Sequence, residues 1–173
     1  MPKELFVVRH AKSSWEDPGL SDHDRPLAPR GQKSVKLLAD HLRANEIRPE
    51  QVICSSSRRT RETLAGIELD TECLIEAELY GASGHDVLER LRRVPDRLDS
   101  VMVIGHNPAM QMLVLQLATS NGSLPEGSDV ARVQRKFPTG GLATLEFDCS
   151  WRELTSGSAR LTSFVRPKQL GKS

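Results

Sequence analysis

The sequence has only three cysteines, Cys54, Cys73 and Cys149. An odd number without C-x-x-C spacing supports neither a disulfide framework nor a zinc site, and it fits a reducing compartment. Aromatic residues are scarce at 4%, and 24 Lys plus Arg are nearly balanced by 23 Asp plus Glu. Without a basic excess or stacking residues, the chain lacks the usual means of tracking a nucleic-acid backbone. No apolar run approaches the roughly 18 residues needed to cross a bilayer. Met1-Pro2-Lys3-Glu4 leads directly into a strand pattern, with no basic segment, long apolar stretch or small-residue cleavage site before it. A cytoplasmic protein without membrane contact is expected. Neither an H-E-x-x-H pattern nor a carboxylate-rich set is present, so no metal or other cofactor is expected.

What is present is enough for a core. The 173 residues are 38% apolar and 27% charged, which predicts one globular domain over residues 1–173 that needs no disulfide or metal. Of the basic residues, 17 are Arg and 7 are Lys. Arginine suits bidentate contacts to phosphate or carboxylate, although coding bias also produces such a ratio.

Apolar runs and helical periodicity alternate along the chain. Leu5–Val8, residues 51–54 and Val101–Ile104 read as buried strands, and residues 74–75 as a weaker one. Helices are expected over 31–44, where Val35, Leu38, Ala39 and Leu42 share a face, and over 58–67 and 87–94. Asn107-Pro108 offers an N-cap and a first-turn proline to a helix running through Leu117. Residues 142–147 read as a strand, 151–154 and 161–165 as stretches that could add edge strands, 120–127 as a loop and 166–173 as a fraying tail. This rhythm predicts an α/β fold, a mostly parallel sheet with helices on both faces.

Three of the strands end in groups able to hold an anion. Arg9-His10 follows the first, the run from Ser55 to Arg59 the second, and Gly105-His106-Asn107 the fourth. Ligands of open α/β sheets bind beyond the carboxyl ends of the strands, so these segments should converge. Two imidazoles, at least two guanidiniums and two helix N-termini would then face one pocket, suited to a dianion such as phosphate.

Read together, these segments resemble the histidine phosphatase superfamily. The resemblance rests on Arg9-His10 after a strand, Leu27 with Gly31 opening a helix, Ser55-x-x-x-Arg59-x-x-x-Thr63, and Gly105-His106 after a later strand. Within that superfamily, Arg9-His10-Ala11-Lys12-Ser13-Ser14-Trp15 followed by Asp24-Arg25-Pro26-Leu27 looks most like the SixA-type phosphohistidine phosphatases. The resemblance implies a phosphoglycerate mutase-like fold, a three-layer α/β/α sandwich with a minimal cap.

It also implies roles. His10 would accept the phosphoryl group, Arg9, Arg59 and His106 would hold its oxygens, and Ser13, Arg25 and Asn107 would lie in the substrate pocket. For Arg25 a surface role is equally open. The proton donor to the leaving group is Glu78, Asp22 or none. The expected activity is hydrolysis of phosphohistidine on a partner protein. The alternatives are hydrolysis of small phosphorylated metabolites at the same site, or a non-catalytic phosphate-binding module. A monomer is favoured. Ala11 stands where the superfamily usually has Gly, and Glu16 where mutase-like members often have Asn.

Overall fold

The computed structural model describes residues 2–119 and 126–171. A six-stranded sheet runs in the order β3-β2-β4-β1-β5-β6, with β1 at Lys3–Arg9, β2 at Gln51–Ser55, β3 at Glu72–Glu76, β4 at Ser100–Gly105, β5 at Leu142–Phe147 and β6 at Ala159–Val165. The first four strands in that order are mutually parallel, and β5 and β6 are antiparallel additions. Among the described residues, no helix is long and apolar enough to cross a membrane.

Successive side chains of a strand point to opposite faces, and here both faces are apolar. Leu5, Val7, Val101 and Val103 enter one core with α3 (Gly84–Leu91), α4 (Ala109–Ala118) and Val133 of α5 (Asp129–Arg135). Phe6, Val8, Met102 and Ile104 enter the other, against Val35, Leu38 and Leu42 of α1 (Pro29–Ala44) and Ile67 of α2 (Arg58–Ile67). This alternation makes the three layers, as the sequence predicts.

Some local expectations shift. The helix expected over 87–94 covers Gly84–Leu91, because Ser83 and Asp86 cap each other's backbone N–H groups and start it earlier. Pro108 takes the N-cap position of α4 rather than the first turn, while Asn107 Oδ1 still accepts the Gln111 N–H at 3.2 Å. Residues 151–153 form a 3-10 turn instead of an edge strand, since Trp151 is drawn inward, its indole N–H donating to Leu98 O at 2.7 Å. Helix α5, capped by Ser128, is not anticipated by the periodicity. In the tail expected to fray, Pro167–Leu170 form a short helix, α6, beside α1 and Gly140, and residues 172–173 lie outside the described residues. Most of the loop expected over 120–127 lies outside the described residues.

Close approaches fix the segment that follows β1. A Cβ on Gly31 would lie 2.1 Å from Lys12 O, so α1 can pack this tightly only through glycine. The Ala28 N–H donates to the same carbonyl at 2.9 Å.

Candidate active site

His10 is the first residue past β1. Its N–H donates to Gly105 O at 3.1 Å and its carbonyl accepts from the Gly140 N–H at 3.0 Å, so it is fastened to the ends of both neighbouring strands. Nδ1 lies 2.7 Å from Ala11 O. A carbonyl can only accept, so Nδ1 carries the proton and Nε2 keeps its lone pair. Burial is the main force lowering the His10 pKa to about 3; His106, Arg59 and Arg9 add to it against the Ala11 hydrogen bond. The Ala11 N–H in turn donates to Thr63 Oγ1 at 3.0 Å, and Thr63 Oγ1 donates to Arg59 O at 2.8 Å. The last residue of the Ser-x-x-x-Arg-x-x-x-Thr run thus braces the backbone on both sides of the site.

His106, just past β4, packs its ring 5.4 Å from that of His10. Its Nε2 lies 2.8 Å from Ser55 Oγ, and Arg59 NH2 stands 3.5 Å from its Nδ1. Because the guanidinium can only donate, Nδ1 holds the lone pair and Nε2–H donates to Ser55. Burial, then Arg59, lowers the pKa to about 4, partly opposed by Asp22. Both imidazoles are therefore neutral near pH 7.

Arg59 sits in the first turn of α2, whose Ser57 cap accepts the Thr60 N–H at 3.3 Å. It donates to Asp22 O at 2.7 Å and to Asp22 Oδ2 at 3.1 Å. Arg9 donates to Phe137 O at 3.0 Å. Burial and the charge of Arg59 lower its pKa. The Nε atoms of Arg9 and Arg59 are both buried without a hydrogen-bond partner. Unpaired buried donors are costly, and two guanidiniums close enough to repel each other beside neutral imidazoles form a place for an oxyanion.

The Asp22 carboxylate accepts four hydrogen bonds from three residues. Tyr80 Oη donates to its Oδ2 at 2.5 Å, Arg25 Nε and NH2 donate to Oδ1 at 3.1 and 3.0 Å, and Arg59 completes the set. The Tyr80 hydrogen bond, followed by those of Arg25 and Arg59, holds this carboxyl far below the usual range. Asp22 is thus an ionised clamp in this arrangement and a poor proton donor. Arg25 is not a surface residue, and its guanidinium is tied to Asp22. It is buried, donating also to Ser13 Oγ at 2.8 Å, with its guanidinium 3.5 Å from the centre of the exposed Trp15 ring.

The remaining expected residues are placed differently. Glu78 is exposed and lines a separate cleft with Glu76, Arg90 and Arg93. Among the described residues it makes no hydrogen bond or ion pair to the histidine pocket, because the turn at Ala77–Leu79 directs Tyr80 there instead. Ser13 is occupied by Arg25. Asn107 donates to Phe137 O at 2.9 Å and caps α4, so it supports the site's scaffold. Tyr80 and His23 carry no motif that marks them in the sequence, yet both lie at the site. The His23 ring packs edge-on to Tyr80 at 4.8 Å, with Nε2 2.9 Å from Ser56 Oγ. Tyr80 follows the end of β3 by four residues, beyond a 3-10 turn, whereas His10 and His106 are the first residues past their strands.

Burial pushes the Cys54 thiol up to about 12, which leaves it unreactive. Among the described residues, no group of three His, Cys, Asp or Glu is placed to hold a metal ion.

A mixed α/β sheet with an oxyanion pocket at its strand ends defines the phosphoglycerate mutase-like class, and comparison with known proteins makes the assignment narrower. The signature of the histidine phosphatase superfamily (branch 1) matches residues 5–80. The uncharacterized protein Rv1276c of Mycobacterium tuberculosis is 38% identical over 161 residues, covering 93% of this chain and 100% of the relative. Phosphohistidine phosphatase SixA of Escherichia coli is 27% identical over 120 residues, covering 66% and 73%. The solved structure of the SixA protein from Nakamurella superposes with a TM-score of 0.86 at 27% identity, covering 96% of this chain and 97% of that one. The chain belongs to the histidine phosphatase superfamily and is a SixA-like phosphatase.

Proposed function

We propose that the protein removes phosphoryl groups in two steps through a covalent phosphohistidine on His10. The observation that carries this is the 2.7 Å contact between His10 Nδ1 and Ala11 O, which fixes the tautomer and leaves a neutral, nucleophilic Nε2 beside Arg9 and Arg59. The Nε2 lone pair attacks phosphorus, and the bond to the leaving group breaks with its electron pair. Water then attacks the phosphorylated His10. The P–Nε2 bond breaks, its electron pair returns to the ring, and the water proton passes to the Nδ1 lone pair of His106. Charge spreads over the phosphoryl oxygens during transfer, and the two guanidiniums stabilise it there.

The substrate we infer is phosphohistidine on a partner protein. Asp22 is ionised and Glu78 lies outside the pocket, so among the described residues no carboxylic acid is poised to protonate a leaving group. An alkoxide needs such a donor. An imidazole leaving group, with an unperturbed pKa of about 6.5, can take a proton on its own free nitrogen. The free cysteines support a reducing, cytoplasmic setting. A second reading, a small phosphorylated metabolite, is favoured by one specific observation, the basic cleft that shares Arg9. Steady-state comparison of a phosphohistidine protein with a panel of phosphate esters decides between them. An advantage of about 100-fold or more in kcat/KM for phosphohistidine is expected, and a comparable advantage for any ester overturns the protein-substrate reading.

A further inference from the structure

A cleft of about 820 Å³ opens on the other side of Arg9, between α1, the segment before β5 and α6. Its volume lies within the roughly 300–1,000 Å³ of small-molecule sites, which are usually lined by apolar side chains. This one carries seven cations beside Leu37, Pro138 and Pro167. Lys12 follows β1; Arg30 and Lys33 come from the first turns of α1; Lys136, Arg166 and Lys168 close the far side. Among the described residues, no carboxylate lines it.

Several of the cations outside the cleft are paired. Lys3, Arg25, Arg43, Arg58, Arg59, Arg90, Arg92, Arg132 and Arg160 all have carboxylate partners within 4.0 Å. Among the described residues, none of the cleft's cations does. The whole chain carries a net charge of only +1, so with seven cations lining this cleft the rest of the molecule is net negative. Like charges held together on a concave wall raise the local potential and favour a multivalent anion. Arg9 joins this cleft to the histidine pocket, and its buried Nε is one of the two unpartnered donors.

We propose that the cleft is a second anion site, and that it takes a further phosphate carried by the same small ligand whose first phosphoryl group meets His10. The guanidiniums of Arg30 and Arg166 offer forked donors suited to phosphate oxygens, with the lysines as point charges around them. The inference rests on the phosphoryl chemistry proposed for His10 and extends its second reading, naming a multiply phosphorylated small molecule as the ligand class.

Calorimetric titration of the full chain with orthophosphate, pyrophosphate and tripolyphosphate, at constant ionic strength and without divalent metal, tests it. The wild type should bind tripolyphosphate at least about tenfold more tightly than orthophosphate, a difference near 1.4 kcal/mol. In the Lys33→Glu/Lys168→Glu variant, and more mildly in Lys33→Gln/Lys168→Gln, that preference should collapse while turnover of a single-phosphate ester persists. Equal affinity for the three anions in wild type, or a preference that survives both variants, overturns the proposal. A hexaglutamate peptide binding as tightly as tripolyphosphate also overturns it, by assigning the cleft to an acidic protein segment. If no ester or phosphohistidine substrate is turned over but the tripolyphosphate preference appears and responds to the variants, the His10 chemistry fails and the second anion site stands.

Discussion

Arg59 grips Asp22 at two points, its NH1 donating to the backbone carbonyl at 2.7 Å and its NH2 to Oδ2 at 3.1 Å. The loop between β1 and α1 is thereby strapped across the first turn of α2, and the guanidinium is aimed without being neutralised by a second carboxylate. Arg25 and Tyr80 hold the opposite side of the same Asp22 carboxylate.

A clamp and a proton donor respond differently to removal of the charge. Asp22→Asn should lower kcat/KM by about tenfold or more through lost positioning, consistent with a charged hydrogen bond of roughly 1.5–3 kcal/mol. The loss should be similar for p-nitrophenyl phosphate and for an alkyl phosphate. A selective loss on the alkyl ester, whose leaving group needs the proton, would make Asp22 the acid. Glu78→Gln should leave both rates within about twofold of wild type, since an exposed side chain outside the pocket has little to lose.

The buried imidazole of His10 also predicts how stability depends on pH. Its pKa is about 3 in the folded protein and about 6.5 when exposed in the unfolded chain. Between those values only the unfolded chain takes up the proton. The contribution is therefore complete above about pH 6.5 and falls by about 1.4 kcal/mol for each pH unit below it, until the folded pKa is reached. Denaturant unfolding at pH 7 and pH 5 should show wild type losing about 2 kcal/mol more than His10→Gln. Equal losses in the two proteins would mean that His10 is readily protonated in the fold.

Gly31 tests the link between packing and chemistry. A methyl group there would sit 2.1 Å from Lys12 O, two residues from His10. Gly31→Ala should push α1 away from this segment, costing about 1–3 kcal/mol of stability, as overpacking does. It should lower phosphatase activity by more than the unfolded fraction accounts for. Thermal unfolding and steady-state kinetics on the same preparation check both.

The residues legible in the sequence are those whose position is set locally. Arg9, His10, Arg59 and His106 each lie within a few residues of the end of a strand whose apolar run is plain, and a parallel sheet brings such ends together whatever the loops do. Gly31 is legible as part of a recurring segment, and its reason, contact with the Lys12 carbonyl, appears only in three dimensions. Tyr80, His23 and the clamp role of Asp22 depend on two aperiodic turns meeting over α2, and no spacing rule records that meeting. The position of Glu78 outside the pocket is hidden from the sequence for the same reason. A single 3-10 turn decides which of two neighbouring side chains reaches the pocket. The 3-10 turn at Trp151 likewise follows from a tertiary hydrogen bond to Leu98 that overrides the local strand pattern.

The most direct measurement is rapid quench with phosphoryl-labelled substrate, followed by mapping of the label. The account predicts an acid-labile, base-stable phosphoenzyme in wild type with phosphorus on Nε2 of His10, because Nδ1 is committed to Ala11 O. The label should be absent in His10→Ala. Turnover without a trapped intermediate, label on Nδ1, or a phosphoenzyme that survives His10→Ala would contradict it.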